Sequence, residues 1–298
     1  MKRPLTLLVG IVLSIILLSI LFPSDPTKPD ILSKIKSKEN KPPVVEETVK
    51  KYRISDILKL EDIGNALAWT LDEKYLYYTK PVEGEDGSVS EEIWFSNLEG
   101  NKQKVDIELK LTGIRNAKWS EDGSMMAFIA NIEENKSGLF IYDKNKNTLL
   151  DITPKKFSDI GVISYDWDRK SQNIVMSVDI VGSSIYIYNL KNQKTSKLAI
   201  QLKSCRDVAF YDNEKIIFSN MDENLKYRIY TSDMSGENIK FVVEGQNFIL
   251  SPNKKKMAIT TDGDSQNGLW VYNIDSKVMK SINSLPMHNV YWLGNDNL

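Results

Sequence analysis

Residues 117–153 read AKWSEDGSMMAFIANIEENKSGLFIYDKNKNTLLDIT, and this stretch decides the fold. Its pattern predicts four short strands, over residues 117–120, 126–130, 139–142 and 147–152. The first two strands flank a tight turn, in which Gly123 is expected to take a backbone conformation that is costly for other residues. A polar loop is predicted over residues 131–138. Four short strands in succession predict one antiparallel meander.

The same pattern returns along the chain. Each copy has an aromatic or large apolar residue at the end of its first strand, and these anchors are Trp69, Trp119, Trp167, Phe210, Leu250 and Trp292. Successive anchors are separated by 50, 48, 43, 40 and 42 residues. A period of about 40 to 50 residues with four strands per unit is typical of propeller blades. The sequence therefore predicts an all-β fold, a β-propeller with five four-stranded blades and an incomplete sixth.

The later strands of each repeat indicate how the blades pack. Second strands are predicted over residues 75–79, 126–130, 173–177, 215–219 and 256–260. Third strands are predicted over residues 93–95, 139–142, 185–188, 228–230 and 269–272. Apolar residues occupy both faces of these third strands, as expected for strands packed between two neighbouring sheets.

The two ends of the repeat region bear on ring closure. Residues Tyr52–Leu58 are predicted to form an outer strand without a blade of its own, which could complete a blade begun by the other terminus. Only six residues follow Trp292, where about 20 to 30 would be needed for the remaining strands. The sixth blade is therefore expected to be incomplete, and a longer natural product is expected.

Two of the repeats carry a recognisable motif. Residues 119–128 read WSEDGSMMAF and are followed by LFIYD at 139–143. This sequence resembles the repeat of TolB-type propellers, W-S-P-D-G-x-x-I-A-F and then I-Y-x-x-D; residues 250–259 with 269–272 are similar. The resemblance covers residues 52–298 and implies a propeller with protein partners in the cell envelope. Residues 168–170 and 211–213 depart from the motif in the third and fourth blades.

The N-terminus has the pattern of a membrane anchor. Residues Leu5–Phe22 are eighteen residues without a charge, and at about 1.5 Å per residue a helix of this length spans ~27 Å, close to a bilayer core. Residues 1–22 are therefore predicted to be a signal anchor or transmembrane helix, with a cleaved signal peptide as the alternative. Residues 23–51, rich in Pro, Lys and Glu, are predicted to be a linker to the propeller at 52–298.

The expected location follows from this anchor. Lys2 and Arg3 precede the apolar segment, and long domains after such a segment cross the membrane largely regardless of charge. We expect a single-pass protein with a cytoplasmic N-terminus and the propeller outside the cell membrane. Cleavage and secretion is the alternative.

Composition limits the classes of partner. The chain has 39 Lys and Arg against 40 Asp and Glu, a net charge of −1, which argues against a nucleic-acid partner because such proteins need a clustered basic excess. Cys205 is the only cysteine, so no internal disulfide can form. We expect Cys205 to be a packed structural thiol on an inner strand.

The sequence nominates no catalytic, cofactor-binding or metal-binding residue. His288 is the only histidine, so H-E-x-x-H is excluded and His288 is expected to be an ordinary partly buried residue. Some glycosidases are propellers that use two acids. No spacing singles out a pair among the inner acids, which are expected to line a wet channel: Asp166, Asp168, Asp179, Asp207 and Asp212.

Two acidic loops are expected to be solvated hairpins. Residues Asp262–Gly268 are spaced somewhat like a calcium loop, but Asn273 stands where the loop needs its glutamate. Residues Glu83–Glu92 are expected to join the middle strands of the first blade. A basic partner for this second loop is the alternative.

These observations predict a membrane-anchored, extracytoplasmic, non-catalytic propeller that binds or scaffolds an envelope protein or glycan. The alternative is an enzyme. Similar repeats form the propeller half of prolyl oligopeptidase-type peptidases, whose hydrolase domain would then follow Leu298, and a carboxylate glycosidase would work within the ring.

Overall fold

The structure is a computed structural model, and it describes residues 65–85, 87–107, 111–133, 136–154, 161–180, 182–261, 268–283, 290 and 292. The chain divides into Met1–Lys51 and Tyr52–Leu298, and all described residues belong to the second unit. The predicted membrane segment, linker and outer strand over Tyr52–Leu58 lie outside the described residues. Within the described ranges, no helix has the length and apolar character needed to cross a membrane.

The described residues form strands arranged as five antiparallel meanders. The first meander contains β1 Ala66–Trp69, β2 Tyr75–Glu83, β3 Val89–Asn97 and β4 Lys102–Lys104. The second contains β5 Thr112–Trp119, β6 Met125–Glu133, β7 Lys136–Asp143 and β8 Thr148–Asp151. The third contains β9 Gly161–Trp167, β10 Asn173–Ile180, β11 Gly182–Asn189 and β12 Lys194–Lys197. The fourth contains β13 Val208–Phe210, β14 Lys215–Met221, β15 Tyr227–Asp233 and β16 Lys240–Glu244. The fifth contains β17 Asn247–Leu250, β18 Lys256–Thr261, β19 Gly268–Asn273 and β20 Val278–Asn283.

Each meander corresponds to one predicted repeat, and we refer to them as the first to fifth blades. A single parallel bridge between Ser137 and Gly161 links the second and third blades into one eight-stranded sheet. Within the described residues, the prediction of an all-β fold built from four-stranded blades is confirmed.

The predicted polar loop over residues 131–138 is wrong. Asn131 pairs with Ser137, and Glu133 pairs with Lys136, so β6 and β7 continue almost to the tip of their hairpin. Polar side chains at the tip do not end the strands, because the main-chain pairing does not depend on them. In the same way, β3 begins at Val89, so the second half of the predicted acidic loop is strand.

The blades pack face to face. In β7 and β11, six consecutive residues are buried, so both faces of these strands are covered, as the sequence predicted. Neighbouring residues of β6 join different clusters: Phe128 packs with Tyr77 and Ile93 of the first blade, whereas Ile129 packs with Tyr165 of the third. Further clusters join the third blade to the fourth and the fourth to the fifth. Each blade therefore shelters its apolar faces against its neighbours in sequence, as blades of a propeller do.

The turns between first and second strands repeat one hydrogen-bond pattern. In the second blade the amide of Ser120 donates to Met125 O at 2.8 Å, and the amide of Gly123 donates to Ser120 O at 2.9 Å. Gly123 has φ of 67°, as predicted, and the residues at the same turn position in three other blades also have positive φ: Glu73, Ser171 and Lys254. In the fourth blade, Tyr211 N bonds Lys215 O, so this turn is one residue shorter. The loss of the turn motif there reflects a different turn in the same meander.

Candidate binding site

The inner strand of the fourth blade is unusually short. β13 has three residues, whereas β5 has eight and β9 has seven. The segment Lys203–Asp207 precedes β13 in place of further strand, and we call it the pinned segment. Its five successive amides all donate to side-chain oxygens: Lys203 and Ser204 to Asn220 Oδ1 at 3.0 and 3.3 Å, Cys205 to Ser183 Oγ at 2.8 Å, and Arg206 and Asp207 to Ser219 Oγ at 3.2 and 3.0 Å.

These hydrogen bonds hold the backbone of the pinned segment in one conformation. Ser183 belongs to the third blade and Asn220 to the fourth, and Ser183 and Ser219 are buried, which keeps competing water away from their hydroxyls. Two carbonyls of the pinned segment also accept main-chain bonds from β14: Ser204 O from Met221 N and Asp207 O from Ser219 N. The backbone is therefore fixed from two blades although it is not a regular strand.

A concavity of about 70 Å³ lies beside the pinned segment. It is lined by Ile163, Asp179, Ser204, Cys205 and Arg206. Ile163 is near the start of β9 and Asp179 near the end of β10, so the pocket lies between the third and fourth blades. The pocket lies near the β10–β11 hairpin. The turns that follow the anchor residues, such as the turn after Trp167, lie at the opposite end of the sheets.

Arg206 is held by an aromatic side chain. Its Nε donates to Tyr227 Oη at 3.1 Å, and its guanidinium carbon lies 5.8 Å from the centre of the Tyr227 ring. The Tyr227 hydroxyl also contacts Ser204 Oγ at 2.9 Å. Within the described part of the chain, no partner binds the two Nη groups of Arg206, whose side chain is exposed. The guanidinium is therefore fixed at one edge and free at the other.

Cys205 forms the buried side of the pocket. It is 2% exposed, and its Sγ contacts Asp207 O at 3.4 Å. Burial raises the pKa of the Cys205 thiol well above its ordinary value, and the nearby Asp207 carboxylate acts in the same direction. The thiol therefore stays protonated and unreactive, which confirms a packed structural thiol. Its predicted place on an inner strand is wrong, because β13 begins only at Val208.

The other inner acids serve as structural acceptors. Asp166 Oδ2 accepts the amide of Phe210 at 3.2 Å, and Asp207 Oδ2 accepts the amide of Phe248 at 2.9 Å. Asp166 thus ties β9 to β13, and Asp207 ties the pinned segment to β17, rather than only lining a channel. Asp168 and Asp212 instead accept amides of their own turns.

A mixed-charge cluster lies near the opposite end of the inner strands. Lys118 Nζ donates to Tyr165 O at 2.8 Å and lies 3.4 Å from Asp166 Oδ1. Lys254 Nζ donates to Phe210 O at 2.5 Å, and burial lowers the pKa of this amine. These side chains cap main-chain carbonyls of neighbouring blades, so the cluster also joins blades.

The acidic residues of the first blade are partly structural. Glu91 Oε2 accepts the amide of Ile114 at 2.7 Å, which joins the first blade to the second. Glu92 Oε1 pairs with Lys104 at 2.5 Å, and this bond holds the pKa of Glu92 below its usual range. The expectation of a solvated hairpin is therefore wrong for these two residues.

His288, the stretch Asp262–Asn267 and Asp86 lie outside the described residues. Among the residues that the structure describes, no group of three or more His, Cys, Asp or Glu side chains could hold a metal ion.

Fold and packing define a chain of four-stranded blades of the β-propeller class. No protein-family model matches the chain, and no curated protein matches it in sequence. Solved structures do match. TolB from Acinetobacter baumannii aligns with a TM-score of 0.55 and 15% identity over 71% of this chain and 53% of its own, so this chain spans about half of its length. The putative TolB from Agrobacterium tumefaciens aligns with a TM-score of 0.55 and 16% identity over 72% and 79% of the two chains. The β-propeller domain of the Trilobed protease from Pyrococcus furiosus aligns with a TM-score of 0.53 and 14% identity over 74% and 70%. At these identities the likeness shows the fold alone.

Proposed function

We propose that this protein is a membrane-anchored, extracytoplasmic propeller that binds an envelope protein or glycan and performs no chemistry. In this proposal residues 1–22 anchor the chain, residues 23–51 tether it, and residues 52–298 form a six-bladed ring with an incomplete last blade. The observation that carries the binding role is the pinned segment, which presents Arg206 and Ser204 beside an open polar pocket.

The roles of the polar side chains support binding over catalysis. Four of the five inner acids have structural roles, which leaves Asp179 without a second free acid beside it: Asp166 and Asp207 tie blades together, and Asp168 and Asp212 cap turns. Cys205 keeps its proton because burial raises its pKa. Arg206, in contrast, is held at one edge by Tyr227 and has its other edge free for a ligand.

The anchor can be tested by protease treatment of intact protoplasts. We expect added protease to degrade the chain beyond about Pro42 while the N-terminal segment stays with the membrane. Complete protection of the propeller would contradict an extracytoplasmic location.

Binding can be tested by photo-crosslinking in intact cells. A photoreactive residue replaces Lys203, which is exposed beside the pocket, or in a matched control Lys280, which is exposed on an outer strand. We expect a discrete covalent adduct from position 203, reduced by Arg206→Glu, and none from position 280. The same adducts from both positions, or no adduct from position 203, would contradict this site.

A further inference from the structure

Two opposite charges line one pocket without pairing. Arg206 and Asp179 both line the 70 Å³ concavity, and both side chains are exposed. No ion pair joins them, and within the described residues the Asp179 carboxylate has no hydrogen-bond or ion-pair partner. In the described residues, acids near a cation commonly pair with it, as Asp143 does with Lys146 at 2.8 Å. Separated charges in one concavity leave room for a ligand that carries both.

We propose that this pocket binds the zwitterionic head group of an α-amino acid, with the carboxylate on Arg206 and the ammonium group on Asp179. The inference rests on the proposed binding function and names the chemistry that the pocket recognises. The head group belongs either to a free amino acid or to a diamino acid attached through its other amine. Both sources present an ammonium and a carboxylate on one carbon.

The geometry of Arg206 fits the carboxylate. Arg206 Nε donates to the Tyr227 hydroxyl, so its two Nη groups remain as donors for the two oxygens of a carboxylate. Planar guanidinium groups bind carboxylates through two parallel hydrogen bonds, and such charge-assisted bonds are about twice as strong as neutral ones. Because Tyr227 already holds the guanidinium, less side-chain freedom is lost on binding.

The size of the pocket fits a head group. The concavity is small, at about 70 Å³, and it is open to solvent. An open concavity of this size admits the few atoms around one α-carbon and leaves the remainder of the ligand in solvent. Ile163 and the protonated Cys205 supply the less polar wall against which that carbon would lie.

The rigidity of the site supports recognition of a small ligand. Five amides of the pinned segment are held by side chains of two blades, so Ser204 and Arg206 are positioned before a ligand arrives. A ligand with few atoms makes few contacts, so the free-energy cost of ordering a flexible site would offset most of its binding energy. A pocket for a single acidic side chain would not need Asp179, whose negative charge opposes a lone carboxylate.

Two isomeric probes separate these possibilities. Nε-acetyl-lysine has a free α-amino acid head group, whereas Nα-acetyl-lysine has the same atoms with that head group blocked. We expect ligand-observed NMR on the full-length chain in mild detergent to show binding of Nε-acetyl-lysine, with a dissociation constant on the order of 1 mM, and no binding of its isomer. Binding of glycine alone excludes an attached head group, because such a ligand must carry a long substituted side chain, whereas binding of Nε-acetyl-lysine as well shows that the site accepts the attached form.

Variants complete the test. Arg206→Gln and Asp179→Asn should each weaken binding by about tenfold or more, whereas Arg169→Gln, a variant of another exposed arginine, should leave it unchanged. Equal binding of the two isomers, or no binding of either head-group probe at about 10 mM, would overturn the proposal. If crosslinking from position 203 persists in that case, the binding function stands and only the ligand class is wrong.

Discussion

Trp292 donates a hydrogen bond from its Nε1 to the main-chain carbonyl of Ile249, at 2.9 Å. The third blade makes the same contact with the second, where Trp167 Nε1 donates to Lys118 O at 3.1 Å. Ile249 and Lys118 each precede the anchor residue of their own blade. Trp292 therefore contacts the fifth blade in the same way that Trp167 of the third blade contacts the second. This is the contact expected of the first strand of a sixth blade.

Replacing Trp292 with Phe should weaken this contact. Loss of the indole donor leaves the Ile249 carbonyl without that partner, which should lower the free energy of unfolding by about 1 kcal/mol. Urea unfolding of the full-length chain in mild detergent measures the change. Trp94→Phe is the matched control, because Trp94 Nε1 bonds Glu92 within the same strand. An equal effect of the two variants would contradict a blade-to-blade role for Trp292.

Tyr165→Phe should destabilise the contact between the second and third blades. The Tyr165 hydroxyl lies 2.5 Å from Asn116 O and 2.6 Å from Ala127 O, both in the second blade. Without it, the buried Ala127 carbonyl loses this donor, at a cost of about 1 to 3 kcal/mol. Tyr188→Phe should change stability by less than about 0.5 kcal/mol, because within the described residues the Tyr188 hydroxyl makes no hydrogen bond. Similar midpoints for both variants would refute this assignment.

Gly138→Ala should destabilise the second blade. A Cβ at this position would lie 2.5 Å from Thr153 Oγ1 and 2.8 Å from Ile132 Cδ1. Thr153 Oγ1 also accepts the amide of Leu139 at 3.0 Å, so it cannot move without losing that bond. We expect a loss of about 1 to 3 kcal/mol in thermal or urea unfolding. In Gly161→Ala the new Cβ would have no neighbour closer than 3.8 Å, so a comparable loss there would show that crowding is not the cause.

Asp207→Asn should change how stability depends on pH. Although Asp207 is partly exposed, desolvation of its carboxyl raises its pKa, while the amide of Phe248 acts in the opposite direction. The folded chain therefore holds this proton to higher pH than the unfolded chain, whose aspartate pKa is about 3.9. As pH rises from about 4 through the raised pKa, the wild-type chain should lose stability relative to Asp207→Asn.

Asp222→Asn should change the pH dependence of stability in the opposite direction. The amides of Lys226 and Asn224 and the charge of Arg228 lower the pKa of Asp222, with the Lys226 bond as the largest cause. Its contribution is present above the unfolded pKa of about 3.9 and is lost as pH falls through the lowered value. Paired unfolding curves between about pH 3 and pH 7 test both variants. Parallel pH profiles for the two would contradict the opposite environments of these carboxyls.

Most of the fold follows from local signals in the sequence. Gly123 and the equivalent turn residues mark where first strands end, and the doubly apolar third strands predict packing on two faces. The extent of the hairpins could not be predicted in the same way. Asn131 and Glu133 remain in β6 because main-chain pairing with β7 continues, and polar side chains at a hairpin tip give no sign of that pairing.

The candidate site was not predictable from its own segment. Lys203–Asp207 was expected to lead into an inner strand, but its amides are held by Ser183, Ser219 and Asn220, which lie on other strands. Serine and asparagine at those positions look like ordinary strand residues in the sequence. The one local signal is that the run from Lys203 to Asp207 has three charges and no β-branched residue, unlike the inner strand around Ile114.

The pinned segment also bears on how specificity can change. Its backbone conformation is fixed by hydrogen bonds from its amides to side-chain oxygens of other strands. The side chains of Lys203, Ser204 and Arg206 take no part in these amide bonds. Substitutions at these positions should therefore alter what the propeller recognises without rebuilding its architecture. Natural selection or protein engineering could therefore change ligand specificity within this short segment without altering the structure of the blades.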